Sequence, residues 1–179
     1  MPVIQRISEL HQEMTGWRRD IHAHPELGFE ERRTSDLVAA RLAEIGVEVH
    51  RGVGKTGVVG VLRNGKGPTV MLRTDMDGLP IEEKTGLRYA SRATGTDPSG
   101  KAVRVMHACG HDVHMTAWLG AAMWFSSNRN AWAGTLLLVG QPAEERGAGA
   151  RAMLQDKLFS RFPRPDAAIA IHDSDLLPA

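Results

Sequence analysis

The sequence predicts an α/β domain in which a sheet carries helical cover, and three observations predict it. Short runs rich in valine and leucine alternate with longer segments whose apolar residues recur every three or four positions. Turns containing glycine or proline separate the two kinds of segment. Three of the apolar runs end in an acidic residue or a histidine, as strands do where they give way to functional loops.

The first helix is predicted from Ile4, Ile7, Leu10, Met14, Trp17 and Ile21, with Pro25 and Gly28 marking the exit. A second follows in "EERRTSDLVAARLAEIG", where Leu37, Val38, Leu42 and Ile45 form a stripe and Gly46 stops it. The segments "VEVHRGVG", "GVVGVLRNGKG" and "PTVMLRTDMDGLP" read as strands between glycine-containing turns, the last emerging at a site after a buried run. "SRATGTDPSGKAVRVMH" reads as a loop or small excursion. "DVHMTAWLGAAMWFSS" is a helix with His114, Ala117, Trp118, Ala121 and Phe125 toward one side. "GTLLLVGQPAEERGAGARAMLQDKLF" supplies a buried strand, a turn and an alanine-rich helix, and "PDAAIAIHDSD" a final strand with a histidine at its end.

A length of 179 residues, 42% of them hydrophobic and 24% charged, suits one folded domain with a substantial core. The formal charge of +1 gives no field that would draw nucleic acid or an anionic membrane, so neither is expected as a partner. Trp118, Trp124 and Trp132 have no basic groove pattern beside them and are expected to pack rather than stack on bases. A single cysteine forms no internal disulfide, and the N-terminus has no long apolar segment, which together predict a cytoplasmic protein. "GVGKTG" lacks the spacing of a phosphate-binding loop.

Chemistry concentrates in "VMHACGHDVHM", which holds His107, Cys109, His111, Asp112 and His114. Imidazole and thiolate suit zinc or a neighbouring divalent metal, and carboxylates widen the choice toward manganese. Gly110 lets the backbone turn while Cys109 and His111 point inward. The alternative is a buried inert thiol beside histidines that bond a helix start. After the strand "TLLLV", Glu144 and Glu145 point different ways, so one can hold a metal while the other serves as a general base; a Glu pair also simply favours a helix N-terminus. Arg73, Asp75 and Asp77 follow another strand, with Asp75 the better site candidate and Asp77 divided between chemistry and an Asp-Gly turn. His172 at the last strand end fits an otherwise incomplete metal sphere. His22, His24, Glu26 and Glu30 are left outside the site, because their proline and glycine context equally describes a turn between helices.

Taken in order, "DIHAHPELGFEE", "TVMLRTDMDGLPIEE", "MHACGHDVHM", "GTLLLVGQPAEERGAGA" and "DAAIAIHDSD" resemble the M20 family of metallopeptidases, in its amidohydrolase branch of hippurate hydrolases, N-acyl-amino-acid amidohydrolases and indole-acetyl-amino-acid hydrolases. The resemblance implies a three-layer, zinc-peptidase-like catalytic domain around a mostly parallel sheet. It implies two divalent metal ions, zinc or manganese, held by Cys109, His111, Glu145 and His172. Glu144 is then the catalytic base and Asp75 the acidic residue supporting the centre, with His114, Asp112 and Arg73 behind the ligands or facing substrate. The implied reaction is hydrolysis of the amide bond of a small N-acyl amino acid or related amide by a metal-activated water.

The resemblance also implies that residues 1–179 form the N-terminal segment of the catalytic domain. A small dimerisation domain, the C-terminal catalytic segment and a final metal ligand are expected outside these residues, and relatives of full length are expected to be homo-oligomers. Two alternatives accompany the enzyme reading: a truncated, inactive metal-binding or interaction module, and a Cys109 nucleophile with a neighbouring histidine as base.

Overall fold

The computed structural model describes residues 5–173, with side chains described from Ser8 onward. Helices α1 (Gln5–Ala23) and α2 (Arg32–Glu44) come first, then strands β1 (Glu48–Val53), β2 (Gly57–Asn64) and β3 (Thr69–Asp75). A short hairpin, β4 (Thr94–Thr96) and β5 (Ala102–Arg104), precedes α3 (His111–Ser127). Strand β6 (Gly134–Gln141), helices α4 (Gly149–Gln155) and α5 (Leu158–Arg161), and strand β7 (Ala167–Ala170) complete the order. Ile4 lies outside the described residues. Of the remaining apolar positions expected on the first helix, Leu10, Trp17 and Ile21 are buried.

The main sheet runs β1-β2-β6-β3-β7. It is mixed, where a mostly parallel sheet was expected: β3 pairs in parallel with both β6 and β7, while β1–β2 and β2–β6 are antiparallel. The reason lies in the connections. A turn of three residues joins β1 to β2 and permits only a hairpin, whereas α3 and the α4–α5 segment are long enough to carry the chain back for parallel pairing.

Alternation along the central strands gives each face its own core. Val58, Leu62, Leu136 and Leu138 pack with Trp17, Val38, Leu42, Met115 and Leu119 beneath α1, α2 and α3. Val59, Val61, Leu137 and Val139 face the other way, toward Met153, Leu158 and Phe162 of the α4–α5 side. Three layers result. Helix α3 is apolar on most sides because it is enclosed between the sheet and the other two long helices. Trp118 packs in that core and donates from Nε1 to the Leu72 carbonyl at 3.0 Å, and Trp132 does likewise to Phe125 at 2.8 Å. The segment expected as a small excursion is the β4–β5 hairpin, separate from the main sheet.

Candidate metal centre

Three neighbouring parallel strands, β6, β3 and β7, end on the same rim, and each delivers a functional group there. Asp75 is the last residue of β3, Glu144 and Glu145 follow β6, and His172 follows β7. The N-terminus of α3 brings His111 and His114 to the same rim. Its cap is Gly110, with φ +66°, a left-handed conformation that favours glycine. A side chain at position 110 would also collide with the Asp173 carboxylate, so the glycine serves both the turn and the close approach.

His111 Nε2 is the point of convergence. It lies 3.3 Å from His172 Nε2, 3.7 Å from Glu144 Oε2 and Glu145 Oε1, and 3.8 Å from Asp75 Oδ2. On the other side of the ring, Nδ1 donates to the Asp77 carbonyl at 2.8 Å. That bond fixes the ring and leaves Nε2 with its lone pair toward the cluster. Two sets of donor atoms gather within 4.8 Å of one another: Asp75, His111, His114 and His172, and His111, Glu144 and Glu145. Cys109 belongs to neither set; Glu145 of the second set is the carboxylate that acts on its thiol most.

The residues expected behind the ligands divide into two groups. His114 Nδ1 donates to Asp75 Oδ1 at 2.8 Å, and its Nε2 accepts the Asp173 amide at 3.1 Å. Both nitrogens are therefore spent on positioning, one on the supporting carboxylate and the other on the chain beside His172. Arg73 donates from Nη1 to Asp75 Oδ2 at 2.7 Å and from Nε to Gln141 at 3.1 Å, tying β3 to the end of β6. Asp112 turns the other way. Its Oδ2 accepts from His22 and Arg18, both at 2.8 Å, in a separate buried cluster.

Asp77 has more to do here than its Asp-Gly context suggests. It is buried, and its two oxygens accept the backbone N–H groups of Glu144 at 2.9 Å and Glu145 at 3.1 Å. The residue that grips the His111 ring thus also grips the turn carrying both glutamates. The available signal was its spacing two residues beyond Asp75, which keeps alternate side chains on one face of an extended chain.

The electrostatics ask for positive charge. Burial disfavours the charged form of His111, yet Asp77, Asp75 and Glu145 outweigh it and raise the pKa above the ordinary histidine value. For Asp75, burial acts upward, but His111, the bond from His114 and Arg73 together hold the carboxyl below its usual range. The Cys109 thiol is pushed up to about 12 by burial first and then by the carboxylates around it, Glu145 above all. Glu145 Oε1 is buried with no hydrogen-bond partner. An acidic site that draws a proton onto a buried imidazole, with an orphaned carboxylate oxygen and two imidazole nitrogens in contact, fits a bound cation.

Residues 71–177 match the model of Peptidase family M20/M25/M40. The chain is 47% identical over 163 residues to a hippurate hydrolase of Campylobacter jejuni, covering 90% of this chain and 40% of that protein. It is 40% identical over 168 residues to an N-acetyl-L-cysteine deacetylase of Bacillus subtilis, covering 93% and 38%. Among solved structures, the YXEP protein of Bacillus subtilis, described as a dinuclear metal binding peptidase, superposes with a TM-score of 0.82 at 35% identity, covering 96% of this chain and 45% of that one. The chain thus spans about two fifths of the length of these relatives. The family match runs from the middle of β3 past His172 and so takes in the whole rim described above; the chain belongs to the M20/M25/M40 peptidase family.

Proposed function

We propose that these residues form the metal-binding part of a cytoplasmic amidohydrolase that cleaves small N-acyl amino acids or related amides. The observation that carries the proposal is the convergence of imidazole and carboxylate atoms on His111 Nε2, at the rim shared by three parallel strands. In this reading His111, His172, Glu145 and Cys109 hold two divalent ions, with a further ligand from outside these residues. The mixed nitrogen, oxygen and sulfur donor set suits zinc, and its carboxylate share also suits manganese. Ions so held lower the pKa of water and polarise a carbonyl.

The chain's own groups supply the rest. Glu144 is partly exposed, with 32% of its side chain open, and Oε2 stands 3.7 Å from His111 Nε2, within reach of both solvent and the centre. It accepts a proton from the water that attacks the amide carbonyl, then delivers that proton to the departing amine nitrogen. Asp77 holds the Glu144 and Glu145 amides, so base and ligand keep a fixed relation. Asp75 and His114 orient the His111 and His172 side of the site. The relatives' names support the substrate class, since one is a hippurate hydrolase and another an N-acetyl-L-cysteine deacetylase.

A nucleophilic Cys109 is the weaker reading. Its neighbours are carboxylates that keep the thiol protonated, opposite to the cationic surroundings of reactive thiolates. The reading as an inactive metal-binding or interaction module has one observation in its favour: at the sheet edge, Ile169 is 51% exposed and Ile171 67% exposed. Metal analysis with a hydrolysis screen of N-acyl amino acids separates the three. Bound zinc or manganese with chelator-sensitive turnover is expected. Metal uptake without turnover favours the module, chelator-insensitive turnover favours the thiol, and folded protein with neither metal nor turnover defeats the proposal.

A further inference from the structure

Three consecutive amides in the turn after β6 are each held by a buried carboxylate from a distant part of the chain. Asp77 takes those of Glu144 and Glu145; the third, from Ala143, donates to Glu31 Oε1 at 2.7 Å. Glu31 is fully buried, while Glu30 beside it is exposed. Its other oxygen accepts the Thr56 hydroxyl just before β2. Burial is the largest influence on the Glu31 carboxyl and pushes it above the usual range, against the bonds from Thr56 and Ala143. Burying such a group is unfavourable unless it is hydrogen-bonded, and both of its oxygens are.

What Glu31 holds is a strained residue. Ala143 has φ +47°, a left-handed conformation that side-chain-bearing residues rarely adopt, and it is fully buried. It immediately precedes the two glutamates. Gly28 leaves room for this turn, since a Cβ there would lie 3.0 Å from both Cα and Cβ of Ala143. The Ala143 carbonyl accepts the Ala148 and Gly149 amides, both at 3.2 Å, so Glu31 supplies the restraint on the N–H side of the turn.

We infer that Glu31, anchored by Thr56, is a positioning residue that holds the left-handed Ala143 turn so that Glu144 and Glu145 reach the metal centre together. The inference rests on the proposed roles of those two glutamates as base and ligand.

The test compares Glu31→Leu, which removes the acceptor, with Glu31→Gln, which keeps one carbonyl oxygen for the Ala143 N–H. Three readouts are needed: hydrogen exchange at the Ala143 amide, zinc affinity by titration, and kcat and KM on an N-acyl amino acid that the wild type hydrolyses. For Glu31→Leu, faster exchange at Ala143 is expected, with metal affinity and kcat each lower by about 10- to 100-fold and KM little changed, as for other outer partners of metal ligands. Glu31→Gln should recover most of the loss. Adding Ala143→Gly to Glu31→Leu should also restore part of kcat, because glycine adopts the left-handed turn without strain. Unchanged zinc affinity and kcat in folded Glu31→Leu overturn the inference. If that variant does not fold, Thr56→Val takes its place, and unchanged exchange at Ala143 and unchanged kcat in it overturn the inference equally. A wild type that neither binds zinc nor hydrolyses any amide defeats the proposed function instead, and the exchange experiment still reports whether Glu31 holds the turn.

Discussion

His111 and Asp112 are adjacent at the start of α3, yet they belong to two clusters built from the same residue types. His111 faces Asp75, Glu144, Glu145 and His172, where the closest approaches of its Nε2 run from 3.3 to 3.8 Å. Asp112 faces Arg18 and His22, and His22 continues to Glu83 at 3.1 Å, all within hydrogen-bonding distance. Glu83 in turn accepts the Ser91 amide and the Thr85 hydroxyl. In the second cluster both His22 nitrogens and Asp112 Oδ2 are spent on hydrogen bonds within the group, and Asp112 Oδ1 is left over. In the first, donor atoms of several residues converge on a shared space. Residue type alone does not mark a candidate metal site; the convergence of several donor atoms on one space does.

The largest expected effect comes from the open cluster. Glu144→Gln keeps the shape of the side chain and removes its capacity to accept a proton. It should lower kcat by about 10²- to 10⁴-fold, the usual range for a general base, while bound metal stays at the wild-type level. Steady-state kinetics with metal analysis check this, and near-normal turnover would remove Glu144 from the reaction. Next comes Asp77→Asn, which weakens the grip on the Glu144 and Glu145 amides because an amide offers only one acceptor oxygen. A loss of about 10- to 100-fold in metal affinity is expected, measured by competition with a chelator. Equal affinity would mean that the glutamates hold their places without Asp77.

Asp112→Ala breaks the closed cluster, and the expected cost is to stability rather than chemistry. It strands the His22 Nδ1 bond and the Arg18 partner, for about 1–3 kcal/mol by urea denaturation, with metal content unchanged. If metal is lost in parallel while the fold survives, the two clusters are one unit and the contrast fails.

These placements also show how much of the site the residue pattern alone carries. The strands that carry the site were legible because Val70 to Leu72 and Leu136 to Val139 are apolar runs that lead into the polar residues of the rim, whereas the run Val58 to Leu62 stops at the opposite end of the sheet, where Asn64 pairs with Gly134. The rim itself followed from parallel pairing, which a helical crossover imposes. The antiparallel β2–β6 pairing was not legible, since no local signal states which strand a distant strand will join. Asp112 was grouped with its neighbours in "HACGHDVH", and the helix sends it to the opposite side. His22, left aside with its turn, is its buried partner. Glu31 could not be told from Glu30, because burial of one of two adjacent glutamates depends on Thr56 and Ala143, 25 and 112 positions away.

The smallest effect is a pH dependence that sets the clusters apart. The hydrogen bond to Asp112, with Glu83 adding to it against the opposing effect of burial, raises the His22 pKa above its ordinary 6.5. The folded state therefore binds this proton more tightly than the unfolded chain does. Its stabilising contribution is complete below about pH 6.5 and disappears as pH climbs through the raised value. His111 is also raised without metal, so the measurement belongs in metal-loaded protein, where that imidazole no longer titrates. Unfolding free energies of wild type and His22→Gln at about pH 6 and about pH 9 isolate the contribution, because the carboxylates that His22 acts on, Asp112 and Glu83, are held below their usual range and titrate below that window. The advantage of the wild type should shrink between the two values. If it stays constant, the folded and unfolded chains hold the His22 proton equally; if it grows, His22 is held neutral, and the closed cluster is a set of ordinary hydrogen bonds in which Arg18 alone carries the charge opposite Asp112.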